Sequence, residues 1–310
     1  MKGINRIFQV AHPFNQLIHP NHRSDKKQIM KPQSFKSVLK NFKAVFLDSY
    51  GVIKNYNGLI EGVPETIDYI RSQGIAIRVL TNDASRSRTQ QAEGFHKSGL
   101  KNIAKEEIIT SGMMAKHFLE QKILSGKIGY LGTENSAHYI LQAGLEHIAV
   151  KDIDMNKMED ISAFVFLDDE GFDWNTDITK TVNLLRHRNI PVIVANSDKL
   201  YPVSKHHVAV ATGGIAKLVE SMLSKKFIHF GKPDTQMFNY AFEQLNRTGA
   251  FNKRDILMVG DTLHTDILGG NKFGIKTTLV LSGNTEAANA EQQINSTGII
   301  PDYICNSIVD

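Results

Sequence analysis

Cysteine, tryptophan and long apolar runs are scarce in this 310-residue chain. Cys305 is the only cysteine, so an intrachain disulfide is excluded and a reducing compartment such as the cytoplasm is favoured. No apolar run approaches the roughly 18 residues that a membrane-spanning helix needs. With 41% hydrophobic and 22% charged residues, the composition is typical of an ordinary globular protein, and we expect no membrane partner.

Acidic residues are nearly absent from the first forty residues, which hold eight Lys and Arg residues and a single acid, Asp25. The formal charge of +4 therefore comes from this segment, because the remaining chain carries 28 basic and 31 acidic side chains. A body of net negative charge lacks the footprint of nucleic-acid binding, and we expect no such partner. We predict a basic, disordered leader over residues 1–35, with a true start at Met30 or an organelle transit peptide as alternatives.

Short apolar strands alternate with helical segments from about Phe42 onward. The segments AVFLDS and IAIRVLTN are typical of strands, and VPETIDYIRSQG between them is typical of a helix, with proline in its first turn and glycine past its end. This alternation favours a parallel sheet covered on both faces, in a Rossmann-like α/β fold. The length accommodates a second α/β unit inserted into the first, and we predict a core of residues 36–88 and 211–310 around an insert of residues 89–210.

Four polar clusters lie just beyond predicted strands or open a helix: Asp48; Thr81 with Asn82; Lys232; and Asp261 with Asp266. If the strands share one sheet, their carboxyl ends bring these side chains together at one edge. Three carboxylates gathered there repel one another unless a hard cation such as Mg²⁺ balances them. The lysine, the hydroxyl group and the amide add donors that suit a phosphoryl group. Taken singly, each cluster is equally typical of a helix cap or a turn.

In this order the clusters resemble the motifs of the haloacid dehalogenase (HAD) superfamily, class IIA, which contains sugar-phosphatase-like and nitrophenyl-phosphatase-like enzymes. The resemblance extends from about residue 42 to residue 285, and LDDEGFDW and VANSDKLYP resemble the class IIA cap and its return to the core. It implies a HAD core with an inserted α/β cap, one Mg²⁺ ion, and hydrolysis of a small phosphorylated metabolite through an aspartyl-phosphate intermediate. A homodimer through the cap is one possible assembly.

The same resemblance implies a role for each matching residue. Asp48 would be the nucleophile, and Tyr50 and Lys232 complete the catalytic set. The expected phosphate-binding residues are Thr81, Asn82, Asp83 and Lys232. The expected metal ligands are Asp48, the backbone carbonyl of Tyr50, Asp261 and Asp266.

Tyr50 departs from the family pattern, in which a second aspartate two residues after the nucleophile protonates the leaving oxygen and then activates water. A phenol, whose ordinary pKa is about 10, is a poor base at neutral pH, and losing acid–base help costs about 10²–10⁴ in rate. Tyrosine at this place is also similar to the haloacid dehalogenases proper, which displace halide without Mg²⁺. Two alternatives therefore stay open: a metal-independent dehalogenase, and a phosphometabolite-binding protein of low turnover.

Overall fold

The computed structural model describes residues 31–204 and 207–310. Most of the predicted leader, residues 1–30, lies outside the described residues. At its described end, the backbone N–H of Gln33 donates to the carbonyl of Ile304 at 2.8 Å, and Phe35 is fully buried. The last residues assigned to the leader therefore pack against the body of the protein.

The strands of the described chain are β1 (Ala44–Asp48), β2 (Lys54–Asn55), β3 (Gly58–Leu59), β4 (Ala76–Thr81), β5 (Ile108–Thr110), β6 (Lys127–Leu131), β7 (His147–Ala149), β8 (Ile161–Phe166), β9 (Val192–Val194), β10 (Leu200–Ser204), β11 (His207–Val210), β12 (Ile228–His229), β13 (Ile256–Gly260), β14 (Lys276–Val280) and β15 (Tyr303–Cys305). Six of them form a parallel sheet in the order β15-β14-β13-β1-β4-β5, which we call the core sheet. Its strand β1 is covered on both faces, and Val45, Phe46 and Leu47 have no exposed surface. The predicted parallel α/β fold is confirmed.

A second parallel sheet, which we call the cap sheet, has the order β12-β9-β8-β6-β7. Between β9 and β12 the chain forms an antiparallel hairpin of β10 and β11. The bounds of the insert, 89–210, stay a prediction. The strand pairing favours an insert that begins after β5 and ends after β12. β5 lies within those bounds but pairs in the core sheet, whereas β12 lies beyond them but pairs in the cap sheet. A short apolar strand carries no local mark of the sheet that it joins.

The α-helices of the described chain are α1 (Phe35–Leu39), α2 (Val63–Ser72), α3 (Arg88–Lys97), α4 (Ser111–Lys122), α5 (His138–Gln142), α6 (Thr176–His187), α7 (Thr212–Leu223), α8 (Thr235–Asn246), α9 (Leu268–Phe273) and α10 (Ala287–Thr297). α2 has Pro64 in its first turn, and Gly74 lies just past its end, as the sequence pattern predicted. Within the described ranges, the helices lack the length and apolar character that crossing a bilayer requires.

One continuous apolar cluster joins the two sheets. It includes Phe46 and Leu80 of the core sheet, Met114 of α4, and Val165 and Ile193 of the cap sheet, all of them buried. Burying apolar surface on both sheets holds them against each other. The packing therefore fixes the cap sheet beside the core sheet, near the edge where the polar clusters lie.

Candidate active site

Three carboxylates lie together at the carboxyl edge of the core sheet. Asp48 ends β1, Asp261 directly follows β13, and Asp266 lies in a π-helical turn, Leu263–Ile267. One carboxylate oxygen from each residue lies within 4.8 Å of the other two. The acids meet because β1 and β13 are paired parallel neighbours whose ends share one edge.

Lys232 supplies positive charge to this acid cluster. Its Nζ atom lies 2.6 Å from Oδ1 of Asp48 and 2.7 Å from Oδ1 of Asp266, and its side chain is buried. Burial alone would lower the pKa of the ammonium group, but Asp266 and then Asp48 raise that pKa above its ordinary value. Lys232 therefore stays charged between the two acids.

One lysine does not neutralise three acids. Burial, reinforced by the charge of Asp266, raises the pKa of Asp48 well above its ordinary value. The same two causes raise the pKa of Asp261 to about 7. Raised pKa values mean that the ionised carboxylates lack sufficient positive charge nearby. A set of clustered carboxylate oxygens suits a hard cation, so these residues fit the predicted Mg²⁺ ion.

Asp261 is held by a loop that the sequence analysis did not single out. The backbone N–H of Asn284 donates to its Oδ2 at 2.6 Å, and the hydroxyl of Thr262 donates to its Oδ1 at 3.0 Å. Gly51 and Gly283 approach it so closely that a β-carbon on either would lie 2.1 Å or 2.0 Å from Oδ2. The one sequence signal for this loop is SGN after β14, an ordinary turn pattern.

Asn82 connects the end of β4 to Lys232. Its Nδ2 atom donates to the Lys232 carbonyl at 3.0 Å, and its Oδ1 atom accepts the Lys232 backbone N–H at 2.7 Å. Nδ2 also donates to Oδ1 of Asp198 at 2.8 Å, a contact that the sequence analysis missed. Thr81, the last residue of β4, is buried beside Asn82. The amide thus positions the lysine backbone at the acid cluster.

Asp83 is bonded within its own turn. Its Oδ1 accepts hydrogen bonds from the backbone N–H and the hydroxyl of Ser85, and its Oδ2 accepts from Gln91 and pairs with Arg86 at 3.1 Å. Burial would raise the pKa of Asp83, but the Ser85 hydroxyl and Arg86 lower it below its ordinary value on balance. An ionised carboxylate repels phosphate, so the geometry favours a structural role over the expected phosphate contact.

Tyr50 lies just beyond β1 and contacts the hairpin of β10 and β11, which we call the cap-side hairpin. Its hydroxyl donates to the carbonyl of Pro202, in β10, at 2.7 Å. Burial and then the charge of Asp261 raise the pKa of this phenol, which therefore stays protonated at neutral pH. Its backbone carbonyl accepts none of the hydrogen bonds found among the described residues, and is free for the expected contact with a cation.

Lys232 reaches the site from the other sheet. Asp48 ends a strand of the core sheet, and Asn82 and Asp261 directly follow two others, but Lys232 follows β12, which pairs in the cap sheet. The premise that all four strands share one sheet was therefore wrong for this strand. The lysine still meets the acids because the chain passes from cap to core here and Asn82 binds its backbone.

Comparisons with known proteins found similar sequences and structures. Residues 45–146 match a family model described as haloacid dehalogenase-like hydrolase, and residues 229–310 match a HAD-hydrolase-like model. A crystal structure from Cytophaga hutchinsonii, described as a possible sugar phosphatase of the HAD superfamily, is 52% identical, with a TM-score of 0.88 over 91% of this chain and 99% of its own. A p-nitrophenyl phosphatase from Archaeoglobus fulgidus is 25% identical, with a TM-score of 0.74 over 87% of this chain and 98% of its own. Phosphoglycolate phosphatase 1A of Arabidopsis thaliana is 29% identical over 85% of this chain and 74% of its own length.

Proposed function

Because this chain belongs to the haloacid dehalogenase superfamily, we propose that it is a Mg²⁺-dependent phosphatase that hydrolyses a small phosphorylated metabolite. The observation that carries the proposal is the contact between Asp48 and Lys232 beside Asp261 and Asp266. An ammonium group next to a carboxylate nucleophile balances the charge of incoming phosphoryl oxygens. Relatives named as phosphatases of phosphoglycolate and of nitrophenyl phosphate, and a structure described as a possible sugar phosphatase, support this substrate class. The superfamily predicted from the sequence motifs is confirmed.

The proposed reaction has two displacements at phosphorus. A carboxylate oxygen of Asp48 attacks phosphorus, and the bond between phosphorus and the ester oxygen breaks; that oxygen leaves with the bonding electron pair and takes a proton from solvent. Water then attacks the phosphorus of phospho-Asp48, which releases inorganic phosphate and restores the carboxylate. Lys232 would bind the phosphoryl oxygens as a charged donor, with the Thr81 hydroxyl as its neutral partner. Both amide hydrogens of Asn82 are already donated to Lys232 and Asp198, so Asn82 would act by positioning the lysine backbone.

A metal ion would be held by the acids around the nucleophile. We assign the ligands to Asp48, the Tyr50 backbone carbonyl, Asp261 and Asp266, which fit the ion by charge and donor type. Bound Mg²⁺ would offset the negative charge of the phosphoryl group and of the carboxylates. Asp261→Asn should therefore weaken the rise in melting temperature that Mg²⁺ produces, together with activity. A full rise in the variant would contradict this ligand set.

Three assays on the wild-type protein separate the candidate functions. We expect phosphate release from one or more members of a panel of phosphorylated metabolites, and expect excess chelator to stop it. Halide release from a haloacid in the presence of chelator would instead establish the dehalogenase. Binding of phosphorylated metabolites without release of either product would establish the binding protein.

We also propose that the protein is cytoplasmic and forms a homodimer through the cap. The single cysteine supports the first proposal. Exposed apolar side chains on the hairpin and on α7, namely Leu200, Val208, Leu218 and Met222, support the second. Light scattering tests the assembly: a monomer at all concentrations would contradict the dimer, and Met222→Lys should weaken a dimer that buries α7.

A further inference from the structure

A hydrogen bond of the Tyr50 side chain joins the end of the core strand β1 to the cap-side hairpin. The hydroxyl of Tyr50 donates to the carbonyl of Pro202 at 2.7 Å, across 152 positions of sequence. Pro202 has no backbone N–H, so its carbonyl is its one polar backbone group. A phenol has one proton, and here that proton is directed at the hairpin.

The same stretch of chain is bound to the core at a second point. Four residues before Pro202, Oδ1 of Asp198 accepts a hydrogen bond from Asn82 at 2.8 Å. We call residues 198–202 the bridging segment. Tyr50 and Asn82 lie at the ends of the paired strands β1 and β4, so both attachments are at the active-site edge of the core sheet.

The bridging segment is also bound at the start of helix α7. The backbone carbonyls of Asp198 and Lys199 accept hydrogen bonds at 2.9 Å from the N–H groups of Gly213 and Ala211. The segment is therefore held by Tyr50, by Asn82 and by the chain that begins α7. These attachments fix its position at the active-site edge of the core sheet.

We propose that Tyr50 is a positioning residue that fixes the bridging segment beside the active site, in place of the acid–base role of this motif position. The proposal rests on the proposed phosphatase function for its kinetic consequence but not for its structural one. We call the bridging segment seated when it has the position that its hydrogen bond to Tyr50 favours. A substrate that contacts the segment binds only to protein in which the segment is seated. Losing the hydrogen bond lowers the seated fraction, and the apparent affinity falls in the same proportion.

The chain offers a matched pair of variants. Tyr50→Phe removes the hydroxyl and keeps the ring, whereas Tyr56→Phe makes the same change in an exposed tyrosine of the following loop. With p-nitrophenyl phosphate as the probe, we expect Tyr50→Phe to raise KM by about two- to tenfold, the range of one neutral hydrogen bond. We expect kcat to change less than twofold, and Tyr56→Phe to change neither constant.

Hydrogen exchange supplies a readout that does not depend on turnover. In Tyr50→Phe, peptides that cover residues 198–210 should exchange faster, while peptides of β1 and β13 keep the wild-type rate. Faster local exchange in a protein without phosphatase activity would support the tether and contradict only the proposed function. Unchanged exchange together with unchanged KM would overturn the tether. A turnover number lowered by about two orders of magnitude at constant KM would also overturn it, since that result makes Tyr50 an acid–base group.

Discussion

The core sheet and the cap sheet are both parallel, but the acids at their carboxyl edges have different partners. At the core edge, Asp48 and Asp266 share the ammonium group of Lys232. At the cap edge, Asp168 lies two residues beyond β8. It accepts a hydrogen bond from the Thr133 hydroxyl at 2.8 Å and from the backbone N–H of Asp169 at 3.0 Å.

This difference in partners distinguishes the core edge, where we propose the active site, from the cap edge, where the donors to Asp168 are uncharged. Neutral donors stabilise an ionised carboxylate less than a charged donor does. Burial raises the pKa of Asp168 to about 6, so this carboxylate can take up a proton just below neutral pH. Three clustered acids at the core edge instead favour a metal ion. Two parallel sheets thus have carboxyl edges of different chemistry, because only the core edge has a buried lysine and three clustered acids among the described residues.

Removing the proposed nucleophile, Asp48, changes the core edge most and should have the largest effect on activity. The amide of Asp48→Asn cannot attack phosphorus, and we expect phosphate release to fall by about 10⁴-fold or more. The fold should persist because the change removes one of three mutually repelling charges. Steady-state rates, with circular dichroism as the folding control, measure both effects. Turnover at the wild-type rate would contradict a covalent mechanism.

Removing the lysine makes the core edge resemble the cap edge. Lys232→Met leaves buried carboxylates without their ammonium partner, and we expect a loss of about 3–5 kcal/mol in the free energy of unfolding. Lys276→Met is the matched control, because Lys276 pairs with Asp302 at 2.6 Å while more than half exposed. An exposed pair contributes about 1 kcal/mol or less. Urea unfolding in chelator measures both variants, and equal losses would contradict the role assigned to Lys232.

Tyr50 lies where the cap-side hairpin meets the core edge, and leaving-group chemistry tests it there. Without a carboxylic acid to protonate the leaving oxygen, we expect aryl phosphates to turn over about 10²-fold faster than alkyl phosphates. Tyr50→Asp should narrow that ratio, whereas Tyr50→Phe should not. Initial rates over esters of graded leaving-group pKa measure the dependence. A flat dependence in the wild type would show that another group supplies the proton.

Local patterns were sufficient to predict the parallel fold and the acid cluster. Consecutive apolar residues in β1 indicate a strand buried on both faces, and an acid at its carboxyl end lies at the ligand-binding edge of such a sheet. Long-range partners were not predictable in this way. The contact between Asn82 and Asp198 spans 116 positions, and the strand before Lys232 pairs in the cap sheet. Both depend on packing that no short segment encodes.

Asp83 shows that a residue's partners within its own turn are hard to predict. The resemblance to the superfamily implied a phosphate contact for it, and that role stays a prediction. In the structure its carboxylate accepts hydrogen bonds from Ser85 and Gln91, two partners within its own turn and helix α3. A polar run at a strand end identifies the edge of the site, but the direction of each side chain depends on the local turn.

Removing the charge of Asp168 tests the cap side of the comparison and should have the smallest effect. The folded-state pKa of Asp168, about 6, lies above the unfolded value of about 3.9, so the folded protein binds this proton more tightly. Its contribution to the free energy of unfolding therefore falls as pH rises from about 4 to about 6, and stays at its low value above that range. Asp168→Asn should remove this fall, with a pH-dependent gain of about 1 kcal/mol at pH 7 after allowance for solvent screening. Urea unfolding at pH 4, 5, 6 and 7 measures the difference. Asp160→Asn is the control, because it makes the same change at an exposed aspartate directly before β8. A difference between Asp168→Asn and the wild type that is constant over pH would mean that folding leaves the pKa of Asp168 unchanged, and the contrast between the two edges would then be wrong.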